Sequence, residues 1–250
     1  MTVWWIAALG VCIGIAAGLL GAGSSILTVL LLVHVAGLPV GSATATSLVV
    51  VAATSVVALV PYSRAGVVMW RAGAGFSLAS MTGAFLGGRI STWVPERALL
   101  VIFSMTLVGA AIAMLWRPPL PPSESEPTSR PSLLVVAAAG VPLGGLTGMV
   151  GLGGGVVVLP VLVLFAGAPL RSAVGTTLFV VAMNTLAGLA GHLPHPAIDW
   201  RLAGYVGVAA SAGSLVGARM GKRIDASLLR RAFAAAMLVT AVALLRGAMT

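Results

Sequence analysis

Two glycine clusters hold the residues best suited to chemistry. The first reads Gly21-Ala22-Gly23-Ser24-Ser25 and the second Gly151-Leu152-Gly153-Gly154-Gly155, each followed by an apolar run. Glycine at this density breaks a helix, and each cluster is placed to open a new one. The first-turn N–H groups of such a helix have no internal partners and sit at the positive end of its dipole. An anion suits that position. Gly21, Gly23, Ser24 and Ser25 would hold it on one side, with two hydroxyl donors, and Gly151, Gly153, Gly154 and Gly155 on the other.

A second matched element follows each apolar run. It reads Pro39-Val40-Gly41-Ser42-Ala43-Thr44-Ala45-Thr46-Ser47 in one place and Pro169-Leu170-Arg171-Ser172-Ala173-Val174-Gly175-Thr176-Thr177 in the other. Ser42 and Ser172 stand where an N-cap is expected, after a proline and before a long apolar helix. Thr46, Ser47, Thr176 and Thr177 come about one turn later, where a hydroxyl either lines a cavity or bonds back to its own helix. Asn184 lies two turns beyond, and an amide in mid-membrane is costly without a polar partner. No Asp, Glu, Lys or Arg falls near the middle of any apolar span, so binding has to rely on neutral donors.

Catalysis, metals and cofactors find no support. The single cysteine, Cys12, cannot build a disulfide or a thiolate metal site. Ser24 or Ser25 with His192 could be imagined as a hydrolase pair, but no G-x-S-x-G frames either serine, and glycines occupy the matching places of the second cluster. A phosphate-loop or dinucleotide reading of Gly151 to Gly155 lacks both the βαβ unit and the lysine. His34, His192 and His195 read as satisfied or solvated residues.

The elements that position these residues are set by composition. The 250 residues are 59% hydrophobic and 8% charged, with five carboxylates, and mean hydropathy is +1.11. A soluble globule cannot cover itself with so few hydrated groups, so a water-soluble enzyme is excluded and membrane lipid is the surrounding medium. The net charge of +9 is scattered as Arg between apolar runs, which the positive-inside rule explains without a nucleic-acid partner. Spans long enough to cross are expected at 3–20, 42–60, 70–88, 98–116, 133–150, 172–190, 202–218 and 232–245. The shorter runs 26–38 and 156–167 directly follow the glycine clusters. The first span has no basic segment before it and its sequence type recurs near residue 134, so it is read as mature structure and not a leader.

A shift of 130 residues aligns the chain with itself without a gap from Gly14 on Gly144 to Arg89 on Arg219, with about 23 of 76 positions identical. The expected organisation is a first transmembrane repeat over 1–116, a Pro-rich cytoplasmic linker over 117–132 and a second repeat over 133–250. With five crossings per half, Arg64, Arg71, Arg117, Arg130, Arg171, Arg219, Lys222, Arg223, Arg230 and Arg231 share one side, against Arg89, Arg97, Arg201 and Arg246. Four crossings and parallel halves divide the charges less cleanly. The fold expected is therefore an all-α polytopic membrane protein of eight to ten segments, two of them short Gly-broken helices, in an inverted-topology repeat. Gly14-xxx-Gly18 and Gly83-xxx-Gly87 read as helix-packing positions.

The segments Gly18-Leu19-Leu20-Gly21-Ala22-Gly23-Ser24-Ser25 and Gly148-Met149-Val150-Gly151-Leu152-Gly153-Gly154-Gly155, with the proline and Ser/Thr-rich helix start after each, resemble the sulfite exporter TauE/SafE family of bacterial membrane transporters. The resemblance covers nearly the whole chain. It implies a multi-pass carrier of the inner membrane, without a cofactor, that moves a small anionic solute such as sulfite or a sulfonate by alternating access. Ser24-Ser25 in place of a glycine pair departs from the more Gly-rich form of the motif. A general metabolite or amino-acid exporter is the alternative.

Overall fold

The computed structural model describes residues 2–21, 24–90, 95–116, 140–145, 155–164, 167–192, 198–221 and 224–249. They are almost wholly helical, with no strand among them. In chain order the helices are α1 (Thr2–Leu20), α2 (Ser24–His34), α3 (Val40–Arg64), α4 (Trp70–Ile90), α5 (Glu96–Trp116), α6 (Gly155–Leu164), α7 (Leu170–His192), α8 (Trp200–Gly221) and α9 (Ala226–Met249). Residues 140–145 are helical too. The linker expected at 117–132 lies outside the described residues.

Four helices, α3, α5, α7 and α9, contain spans long and apolar enough to cross a membrane. Their burial sorts them. The spans in α3 and α7 are each 61% buried, against 33% in α5 and 28% in α9, so α3 and α7 form the centre and the other two the periphery. Large apolar side chains stand exposed on the outer helices, among them Met105, Trp116, Val208 and Val239. In water that surface would be a liability; against lipid it is the expected coat.

The short helices end for a local reason. Gly37 and Gly167 take positive φ of 72° and 61°. The next N–H groups, of Leu38 and Ala168, reach back to Leu32 O and Leu162 O, each at 3.0 Å. This six-residue closure satisfies carbonyls at the helix end and needs a residue free to enter the left-handed region. Pro39 and Pro169 follow, and their carbonyls accept the first helical bonds from Ala43 N (2.8 Å) and Ala173 N (2.9 Å). The prolines therefore hold the cap positions of α3 and α7. Ser42 and Ser172 already lie inside the helices, which corrects the expectation that they are N-caps: Pro39 has φ −57° and ψ 144° and supplies no side-chain bond.

Contacts between helices fix their directions. Gly10, Gly14 and Gly18 of α1 meet Val206, Ala210 and Ser214 of α8 in that order, so the two run parallel. Thr46 and Thr54 of α3 pair with Asp199 and Ser214 beside and along α8, so α3 also runs this way. Met69 and Ser80 pair with Thr176 and Asn184, making α4 parallel to α7. Gly140 and Gly144 meet Ala79 and Ser80, so residues 140–145 run with α4. The end of α3, at Tyr62, lies against Gly175 at the start of α7, which sets the two groups antiparallel. Because α1 and α3 point the same way, the α2 leg carries the chain back between them. Its 11 residues cover only about 16 Å, and the non-helical residues 35–39 take up part of the remainder.

Glycine makes the closest joints. A Cβ on Gly14 or Gly18 would overlap the carbonyl oxygen of Ala210 or Ser214, and one on Gly144 or Gly83 that of Ser80 or Val141. Backbones approach this closely only where side chains are absent. The contacts are reciprocal. Gly14 on Ala210 and Gly144 on Ser80 are the same pair of positions moved by 130 residues, as are Gly213 on Val11 and Gly83 on Val141.

At the start of α9, outside the spanning segments, the Ser227 hydroxyl donates to the Asp225 carboxylate and holds its pKa below the usual value. A depressed carboxylate pKa contributes stability that is fully present above the unfolded value of about 3.9 and is lost as pH falls through the folded value. Thermal unfolding should therefore show a small deficit in Asp225→Asn above pH 5, and that deficit should shrink as acid protonates the carboxylate. An equal deficit in acid would mean the carboxylate does not act through its charge.

Candidate functional site

The centre of the molecule is built on α7, which the first glycine cluster meets at Gly21. Gly21, with φ 68°, ends α1, and a Cβ there would strike Val174. From the other cluster, Gly155 opens α6, whose Val157 and Val158 lie two and three residues further on. Ser24 and Ser25 are the first two residues of α2. Gly23, Gly151, Gly153 and Gly154, expected to bind substrate, lie outside the described residues.

Of the hydroxyl residues expected to line a cavity, two are engaged in joining helices. The Met69 backbone N–H donates to Thr176 Oγ1 at 3.0 Å, and Thr176 Oγ1 donates to Ser172 O at 2.7 Å. The Asp199 backbone N–H donates to Thr46 Oγ1 at 3.2 Å. Met69 and Asp199 directly precede α4 and α8, so each threonine clamps the entry of a helix from the opposite end of the sequence. Thr46 and Thr176 thus face the other half as structural clasps. Ser47 and Thr177 are buried, and Thr177 Oγ1 has no hydrogen-bond partner among the described residues.

Asn184 is the expected site residue that the structure places beside a cavity. It is the fifteenth of the 23 residues of α7, and it meets Ser80, the eleventh of the 21 residues of α4. Asn184 Nδ2 donates to Ser80 Oγ at 3.0 Å, and Ser80 Oγ stands 3.2 Å from Asn184 Oδ1. The Ser80 hydroxyl also lies 3.0 Å from Ser77 O. Ser77 Oγ itself is buried without a partner among the described residues. Ser80 and Asn184 line a small cavity, with space for about one water, whose other walls are Phe76, Leu143, Gly144, Val157 and Val158. No charged side chain lines it. In sequence, residues 143–144 and 157–158 stand on either side of the second glycine cluster.

Sequence alone does not single out Ser80 and Ser77 as neighbours of Asn184. A buried amide requires a polar partner, but that partner is 104 residues away in sequence, and serines spaced by three are common in small-residue membrane helices. At the matching position of the first half stands Thr54, which donates to its own helix, at Val50 O (2.9 Å) and Val51 O (3.0 Å). The asparagine–serine pair therefore has no equivalent at Thr54. No group of three or more His, Cys, Asp or Glu that could hold a metal occurs among the described residues.

Comparison with known proteins agrees with this architecture. The family model described as "Sulfite exporter TauE/SafE" matches residues 6–244. A "Probable membrane transporter protein" of Xylella fastidiosa (strain 9a5c) is 32% identical over 239 residues, covering 94% of this chain and 91% of the relative. The "Probable membrane transporter protein YdhB" of Bacillus subtilis (strain 168) is 25% identical over 223 residues, covering 88% and 91%. No solved structure matches. The relatives are transporters and not enzymes, and a bacterial inner membrane fits their sources. The chain belongs to the sulfite exporter TauE/SafE family and is a multi-pass membrane transporter.

Proposed function

We propose that this transporter moves a small anion, sulfite or a related sulfonate or organic anion, by alternating access between two halves, 1–116 and 133–250, joined by a cytoplasmic linker at 117–132. The observation that carries the reading is the cavity at Asn184 and Ser80: amide and hydroxyl groups near the middle of two packed helices, with apolar walls and no fixed charge. Neutral N–H and O–H donors in a low-dielectric site attract an anion, and without a cation they do not hold it too firmly to release. Residues of the glycine clusters, with Ser47 and Thr177, would complete the path.

Two further observations support duplicated, inverted halves. The helix starts at Val40 and Leu170, at Trp70 and Trp200, and at Glu96 and Ala226 are each 130 residues apart. Members of each pair whose direction is fixed run oppositely: α3 against α7, α4 against α8, and α1 against residues 140–145. Arg64, Arg71, Arg171, Arg219, Arg230 and Arg231 then gather at the end where α3 finishes and α7 begins, against Arg97, Arg201 and Arg246 at the other, a bias that supports a cytoplasmic position for the first group.

Purified protein in liposomes should take up sulfite or a short sulfonate saturably, with short carboxylates competing and neutral amino acids not. Saturable uptake of amino acids alone, with no effect of added sulfite, sulfonates or carboxylates, would favour the general exporter and remove the anion assignment.

A further inference from the structure

We infer that Ser80 is a positioning residue that sets how many hydrogen-bond donors Asn184 can offer to an anion. The inference rests on the anion reading above. It follows from counting protons. The Ser80 hydroxyl carries one, and two acceptors lie in reach: Ser77 O at 3.0 Å and Asn184 Oδ1 at 3.2 Å. Asn184 Nδ2 stands 3.0 Å from the same oxygen. The amide thus lies edge-on to one hydroxyl, and two arrangements start from these positions.

In the first, the Ser80 proton points to Ser77 O and an Asn184 N–H is spent on Ser80 Oγ. One amide N–H remains, beside a carbonyl oxygen with no donor, whose negative end disfavours an anion. In the second, the Ser80 proton turns to Asn184 Oδ1. That oxygen is now satisfied, and a small χ2 rotation of Asn184 that keeps this bond turns the nearer N–H off Ser80 Oγ, so that both amide N–H groups can donate. Ser77 O loses little, because inside α4 it also accepts the backbone bond from four residues on. Rotation of one O–H with this small turn of the amide therefore converts the pair from a mixed surface into a donor surface, with no movement of a helix. An empty site favours the first arrangement, in which more bonds are made internally; a bound anion favours the second, because each freed N–H gains a charge-assisted bond. A ligand shifts such an equilibrium by its differential affinity for the two states.

The device is absent from the other half. At the positions offset by 130 residues stand Thr54, whose hydroxyl is bonded to Val50 O and Val51 O, and Ala210, which has no hydroxyl. The two halves are thus unequal at their centres, with one able to adapt its donors.

The test is initial-rate uptake of sulfite and of methanesulfonate by wild type, Ser80→Ala and Ser80→Thr in liposomes. Alanine should raise KM about fivefold, the scale of one neutral hydrogen bond, with the maximal rate unchanged within about twofold. Threonine keeps the hydroxyl and should return KM to the wild-type range. If the alanine variant is not recovered folded, Ser80→Cys, a weak donor of similar shape, should show the same rise. Saturable wild-type uptake with an unaltered KM in the alanine or cysteine variant overturns the inference and leaves the anion reading standing. So does an equal loss of maximal rate in the alanine and threonine variants, which is the signature of packing. A wild type with no saturable uptake of either probe removes the anion reading together with the inference.

Discussion

Gly14→Leu should leave essentially no folded protein in the membrane, and Gly144→Leu should do the same. A Cβ at either position overlaps a backbone carbonyl of the facing helix, Ala210 or Ser80, and backbone cannot rotate out of the way as a side chain can. Overpacking against flexible neighbours costs about 1–3 kcal/mol. Here the helices must separate, and the joint between α1 and α8 is lost with whatever it holds. Since whole domains are stable by only about 5–15 kcal/mol, that loss is a large part of the total. Gly109→Leu is the control, because nothing lies within 4 Å of a Cβ there. Yield of monodisperse protein after detergent extraction and its melting temperature provide the measurement. Normal recovery of Gly14→Leu would mean that α1 and α8 do not meet backbone to backbone.

Asn184→Leu should have the opposite profile, with folding kept and transport gone. Leucine shares the branching of asparagine, the adjoining cavity can take up its greater bulk, and Ser80 retains Ser77 O as an acceptor, so no buried group of this pair is left without a partner. Removing one partner of a hydrogen bond costs most where the other is left unsatisfied, which does not happen here. The melting temperature should hold or rise. Hydrogen bonds to a charged ligand are worth about 1.5–3 kcal/mol, so uptake at low solute concentration should fall about ten- to a hundredfold. Wild-type uptake by the folded variant would remove Asn184, and with it this cavity, from the transport path.

The two variants also mark what sequence could and could not disclose. Gly14 and Gly18 were legible because close helix packing requires small residues four apart on one face, a purely local pattern. The spans in α3, α5, α7 and α9 were legible for a similar reason, since apolar length alone sets them. Asn184 stood out because an amide far inside an apolar run is costly wherever it points. Its partner Ser80 did not stand out, since serine is cheap in a small-residue helix and only the fold says which serine faces the amide. Thr46 and Thr176 show the same gap from the other side. Their spacing suggested cavity-lining hydroxyls, yet each accepts a backbone N–H from a helix entry more than 100 residues away. Ser42 and Ser172 failed as caps because a proline carbonyl three residues earlier already opens the helix.

The paired threonine clasps lie at opposite faces of the molecule: Thr46 with Asp199 where α3 and α8 begin, and Thr176 with Met69 where α4 and α7 begin. A single bond of this kind contributes about 1 kcal/mol, under twice the thermal energy. On the alternating-access mechanism proposed above, a fastening that weak would open and close again within a cycle while the matching one across the bilayer held. One weak latch on each side and a strong glycine seam between them would then let such a carrier turn toward either compartment without coming apart.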